Sequence, residues 1–194
     1  MYDAYINYLG KFSSQPLTGE DKVLIKQNFK PIRLGKRKYI LQDGDVCKKF
    51  AFIVKGAMRM YFVDDKGLEH IVRLGIEDWW MGDRESFINQ TPSRFHIDAL
   101  EQCDLLCMTL DNAKELEKKV PAFRQMMNKL DERNIMANER RLTAAISFTA
   151  EKRYIDFAHC YPELVSRFPQ HIIASYLGIN KDTLSRVKRR HNLK

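Results

Sequence analysis

Lys181, Asp182, Thr183, Ser185, Arg186, Lys188 and Arg189 crowd into one short stretch near the end of the chain. Such a set can recognise a polyanion; it is not a set that makes or breaks bonds. An arginine guanidinium pairs with guanine O6 and N7, an aspartate accepts from cytosine N4, and lysines and hydroxyls satisfy phosphate oxygens. From Ser166 onward the basic residues are Arg167, Lys181, Arg186, Lys188, Arg189, Arg190 and Lys194, against Asp182 as the lone acid.

The elements that must hold these groups are two short amphipathic segments around Gly178 in QHIIASYLGINKDTLSRVKRRHNLK. Ile173, Ala174 and Leu177 share one face of the first, Leu184 and Val187 share one face of the second, and Ile179 fills the corner. Ala174 is small enough for a steep helix crossing, and Gly178 tolerates the positive φ of a tight turn. Asn180 is the expected N-cap of the second segment, with Asp182 suiting its dipole. An ordinary helical hairpin with a solvated basic face would also show some of these features. The coincidence of small residue, turn, apolar spacing and basicity points instead to a helix-turn-helix with its recognition helix last.

Upstream, Thr18 and Asp21 form a capping box for a helix reaching about Phe29, and Tyr5, Ile6, Leu9 and Phe12 suggest a short leading helix. From Ile32 to about Leu110 the segments KYILQ, FAFIVKG, AMRMYFVD, HIVRLG, HIDALE and DLLCMTL read as short strands. Turn signals at Asp43-Gly44-Asp45, Lys55-Gly56 and Asp65-Lys66-Gly67 separate them, as in an all-β sandwich or roll. Asp111 is expected to cap a helix ending at Pro121. A long helix then runs from about Ala122 to Ile146, with an apolar stripe of Phe123, Met126, Met127, Leu130, Ile135, Met136, Leu142 and Ile146. Asn134, Ala137 and Arg141 interrupt any clean heptad, yet a helix of this length still needs a partner, and a second copy is the candidate. Thr149 caps a further helix ended by Pro162, and ELVSRF follows.

The net charge of +8 over 194 residues favours a polyanionic partner. The N-terminal MYDAYINYLGKF has no apolar run of signal or membrane-span type, so the expected location is cytoplasmic, with no membrane partner. Cys47, Cys103, Cys107 and Cys160 lack both a secreted framework and a metal-ligand cluster, and read as structural thiols. A cupin-type centre from Glu69, His70 and His96 lacks the close His-x-His pair it would need. The chain offers no nucleophile–base pair and no paired catalytic carboxylates, so no enzyme and no metal site is expected.

The order of β-roll, long helix and terminal helix-turn-helix resembles the Crp–Fnr family of bacterial transcription regulators. The likeness rests on Gly44-Asp45, FIVKGAMRMYF, Asp65-Lys66-Gly67, Trp79-Trp80-Met81-Gly82-Asp83, RYIDF around Arg153 and PQHIIASYLGINKDTLSRVKR. The wording of DWWMGDRESF and ASYLGI–TLSR looks most like the family's Bacteroidetes-type members. The resemblance implies an α+β fold. Residues 1–121 would form a cyclic-nucleotide-binding-domain-like double-stranded β-roll with flanking helices, 122–147 the dimerisation helix, and 148–194 the helix-turn-helix domain. It implies a homodimer on double-stranded DNA, its recognition helices about 34 Å apart on a palindromic site. RNA polymerase is the further partner that a transcriptional role brings with it.

Residue by residue, Lys181, Asp182 and Arg186 stand where family members touch bases. Gln170, Asn180, Thr183, Ser185, Lys188 and Arg189 complete the expected DNA-binding set, largely as phosphate contacts. A small effector would sit by Gly82, Asp83, Ser93 and Arg94. Members that bind cyclic AMP hold its phosphate with a helix N-terminus and an Arg-Ser pair, a carboxylate taking the ribose hydroxyl. Here Pro92-Ser93 replaces Arg-Ser, Arg94 comes one step late in an expected strand and so faces opposite to Ser93, and Asp83 is one methylene shorter than the family's Glu. Near Met136-Ala137-Asn138 the adenine-reading hydroxyls are also missing. Cyclic AMP is therefore disfavoured, and another effector, or none, is expected. The family's iron–sulfur variant needs an N-terminal cysteine cluster, and the first cysteine here is the isolated Cys47; a haem variant would rest on His70, His96 or Cys103, where a lone strand histidine reads as surface or satisfied core.

Overall fold

β-Branched and aromatic runs in the first half of the chain pair into two antiparallel sheets. The computed structural model describes residues 1–13 and 15–190. Its strands are β1 (Lys30–Leu34), β2 (Tyr39–Leu41), β3 (Phe50–Lys55), β4 (Met58–Val63), β5 (Glu69–Gly75), β6 (Trp80–Met81), β7 (His96–Ala99) and β8 (Cys103–Met108). One sheet has the order β1-β8-β3-β6 and the other β2-β7-β4-β5, the two layers of a β-roll. All six strands expected from the sequence are present. The two that were not expected carry little local signal: β6 has only two residues, and β1 contains Pro31. β1 lies at the edge of its sheet, where a missing N–H is tolerated.

The chain divides into two units, Met1–Phe62 with Arg73–Glu132, and Val63–Val72 with the residues from Arg133 onward. In the first, helix α1 (Tyr2–Gly10) drives Tyr5 into an aromatic cluster with Phe29, Phe52 and Trp80, at centroid distances of 4.7, 4.9 and 5.9 Å. Full burial pushes the Tyr5 phenol well above its usual range. Trp80 is thus a core residue, whereas Trp79 is half-buried. Helix α2 (Gly19–Asn28) carries the expected capping box, Thr18 accepting from the Asp21 N–H at 3.1 Å. The cap of α4 (Leu110–Lys119) is a correction: Thr109, not Asp111, is the N-cap. Its hydroxyl accepts from the Asn112 N–H at 3.3 Å, and the Asn112 side chain reaches back to the Thr109 N–H.

Pro121 opens the long helix α5 (Pro121–Ser147) at a position where its missing N–H costs nothing. The apolar stripe is not uniform. Phe123 and Met126 are buried, while Ile135, Met136, Leu142 and Ile146 are 59, 46, 62 and 78% exposed.

In the second unit, α6 (Ala150–Cys160), α7 (Pro162–Arg167), α8 (Gln170–Leu177) and α9 (Lys181–Arg190) pack around Tyr154, Phe157, Leu164, Phe168, Ile173, Ala174 and Leu184. Thr149 caps α6 as expected, accepting from the Lys152 N–H. Gly178 ends α8 in the left-handed region at φ 61° and ψ 40°. On α8 the buried face is Ile172, Ile173 and Ala174, and Leu177 is only half-buried, because the short helix meets both α6 and α9.

The two cap assignments for α4 give different stability changes. Thr109→Ala should cost about 1 kcal/mol in urea unfolding, the usual worth of a side-chain N-cap. Asp111→Ala should cost only a few tenths, its dipole contribution.

Candidate nucleic-acid interface and effector pocket

The polar face of α9 is set by what the helix buries. Leu184 and Val187 are enclosed against α6 and α8. At about 100° per residue, Lys181, Asp182, Ser185, Arg186 and Arg189 then fall on one outward arc, flanked by Thr183 on one side and Lys188 on the other. Lys181, Asp182, Arg186 and Arg189 are exposed, and Thr183, Ser185 and Lys188 are half-buried. The Asn180 side-chain oxygen accepts from the Asp182 N–H at 2.8 Å, fixing the start of the helix. Arg186 lends one Nη to the Thr183 hydroxyl at 3.2 Å, which steadies the guanidinium without burying it. Arg190 leaves the arc to meet Glu151 on α6 at 3.5 Å. Gln170 is the exposed first residue of α8, beside backbone N–H groups that have no acceptor within the helix. Of the nine residues expected to meet DNA, eight thus lie on α9 or at its start and Gln170 opens α8; Lys194, noted with them, lies outside the described residues.

Gly82, Asp83, Ser93 and Arg94 occupy the first unit. Asp83 caps a short helix, α3 (Arg84–Asn89), its Oδ1 accepting from the Glu85 N–H at 3.1 Å. Its Oδ2 accepts from the Ser93 hydroxyl at 2.7 Å, and that same hydroxyl accepts from the Phe95 N–H at 3.0 Å. Asp83 and Ser93 are 7 and 4% exposed. Gly82 lies against the Phe50 ring, which leaves no room for a Cβ there. The expected strand placement of Arg94 needs correcting. It precedes β7 in an irregular bend, with its guanidinium 5.8 and 5.1 Å from the ring centroids of Phe62 and Phe95.

This β-roll also has a sequence-level match. Residues 31–119 match the family model of the cyclic nucleotide-binding domain. Several solved structures share the fold of most of the chain. A Crp/Fnr-family transcriptional regulator from Eubacterium rectale aligns with TM-score 0.66 at 17% identity, covering 91% of this chain and 84% of its own. FixK2 from Bradyrhizobium japonicum gives 0.69 at 14%, covering 84% of each chain. The c-di-GMP-responsive regulator CLP of Xanthomonas campestris gives 0.67 at 13%, covering 90% of this chain and 92% of its own. No curated protein matches the chain in sequence.

The β-roll does not present the phosphate cradle of the cyclic-AMP-binding members that the chain resembles. The carboxylate of Asp83 is already committed to a cap and to Ser93, the Ser93 hydroxyl is doubly engaged, and Arg94 is held over two rings. Among the described residues, no cluster of His, Cys, Asp and Glu could hold a metal ion. Burial pushes the Cys107 thiol to about 12, away from thiolate chemistry. Among the described residues no helix is long and apolar enough to cross a membrane.

The Asp83–Ser93 bond carries a testable structural role. Asp83→Ala and Ser93→Ala should each destabilise the protein by about 1–3 kcal/mol. The double variant should lose less than the sum, by about 1 kcal/mol of coupling in urea unfolding. Additive losses would show that the two side chains act independently.

Proposed function

We propose that the chain is a sequence-specific DNA-binding regulator of the Crp–Fnr family, acting as a cytoplasmic homodimer. The observation that carries this reading is the outward arc of α9, where Lys181, Asp182, Ser185, Arg186 and Arg189 stand together over a buried Leu184–Val187 seam. A helix so mounted fits the major groove. Arg186 pairs with guanine, Asp182 accepts from cytosine and Lys181 donates to a base edge. Arg189, Lys188, Ser185, Thr183 and the start of α8 at Gln170 take phosphate oxygens, with Asn180 holding the helix start in place. The fold shared with the Crp/Fnr-family protein from Eubacterium rectale supports the reading. The DWWMGDRESF and ASYLGI–TLSR segments support a Bacteroidetes-type member, working with RNA polymerase at a promoter.

Homodimerisation is supported by the exposed half of α5. Ile135, Leu142 and Ile146 fall within a narrow arc of that helix, with Met136 beside them. A second copy of the same stripe buries it across a two-fold axis. The working division is then 1–121 for sensing, 122–147 for dimerisation and 148–194 for reading DNA. The sensing domain takes an effector other than cyclic AMP held in the Arg-Ser manner, or none, because Asp83 and Ser93 satisfy each other.

Two measurements test this. Arg186→Ala should cost about 1–3 kcal/mol of discrimination at one base pair and leave non-specific binding nearly intact. Arg189→Ala should weaken specific and random duplexes alike and reduce the slope of log affinity against log salt by about 1. Equal losses on both duplexes for Arg186→Ala would remove its role as a base reader. Leu142→Glu should shift the protein from dimer to monomer in sedimentation; an unchanged dimer would place the interface elsewhere.

A further inference from the structure

β5 is the last strand of its sheet, so one of its backbone edges has no neighbouring strand. In the second unit a serine takes that place. The Ser175 hydroxyl, on α8, accepts from the Ile71 N–H and donates to the Glu69 carbonyl, both at 3.0 Å. Residues 69 and 71 point the same backbone edge outward, so one hydroxyl makes the donor and acceptor contacts that a neighbouring strand would otherwise supply. Arg141, on α5, extends the contact. Its guanidinium donates to the Val72 carbonyl at 2.6 Å and the Ile71 carbonyl at 3.3 Å, and lies 4.3 Å from the centroid of the Tyr176 ring.

The far end of the same hairpin is stiffened from within. Asp64 accepts from the Lys66 and Leu68 N–H groups, both at 2.9 Å, and bonds His70 at 2.8 Å. Val63–Val72 is therefore a braced lever whose fixed end is α8.

We propose that Ser175 and Arg141 are positioning residues that fasten the Val63–Val72 hairpin to the first helix of the helix-turn-helix, so that a displacement of the hairpin is delivered directly to the reading helices. The consequence for DNA rests on the functional reading above; the clamp itself does not. Arg141, an interruption of the α5 stripe in sequence, has its role here.

The experiment is amide exchange on the full chain with Ser175→Val and Ser175→Thr, which match in shape and differ in the hydroxyl. Ser175→Val should speed exchange of the Ile71 amide about tenfold over Ser175→Thr, the loss of one net hydrogen bond. Asp64→Ala should then raise exchange along Ile172–Leu177 in the Ser175→Thr protein and leave it unmoved in the Ser175→Val protein. Arg141→Leu should act in the same direction as Ser175→Val, and serves if the valine variant does not fold. Equal Ile71 exchange in the Val and Thr proteins, or an Asp64→Ala effect of the same size in both, would overturn the proposal. If the parent chain binds no DNA, the functional reading fails while the exchange results still decide the clamp. If it does bind, Ser175→Val should lose several-fold in affinity relative to Ser175→Thr.

Discussion

The arrangement of α8 and α9 depends on burying two side chains. Leu184 and Val187 are separated by less than one helical turn, and enclosing both fixes the rotation of α9 about its own axis. That rotation puts Lys181, Asp182, Ser185, Arg186 and Arg189 on one side and leaves Arg190 to pair back onto α6. Gly178 sets the crossing, since only a left-handed residue lets α8 stop and α9 start within so few residues. A helix of this charge is a weak structure alone, with several like charges in one turn. The apolar seam, not the helix propensity, keeps it in place.

The β-roll shows the opposite economy of groups. Where a phosphate site needs free donors, the β-roll has Asp83 and Ser93 bonded to one another and Arg94 held over Phe62 and Phe95. A buried carboxylate accepting from both a backbone N–H and a hydroxyl has little reason to exchange them for a ligand. The family match over residues 31–119 thus describes the scaffold, and the side chains narrow what it accommodates.

Much of this was legible in the sequence, for identifiable reasons. The Thr18–Asp21 box, the Gly178 turn and the Leu184–Val187 seam are local patterns that need no distant partner. The Asp83–Ser93 bond joins residues ten positions apart through a bend, so spacing suggested strand geometry that Arg94 does not adopt. The cap of α4 lies two residues before Asp111, because Thr109 ends a strand-like run and hides its second role. Ser175 carried no signal at all, since its partners are backbone atoms more than a hundred residues away. Local caps repeat a fixed spacing, but contacts to distant backbone leave no trace in side-chain pattern, and that is the class of interaction sequence reading misses.

The central claim is that α9 reads base sequence as one half of a two-fold dimer. Selection of bound duplexes from a random pool, at physiological salt and with the full chain, tests it most directly. The account predicts enrichment of an inverted repeat with half-site centres about one helical turn, 10–10.5 base pairs, apart. Recovery of duplexes without a shared motif, or of a single unpaired half-site, would contradict it.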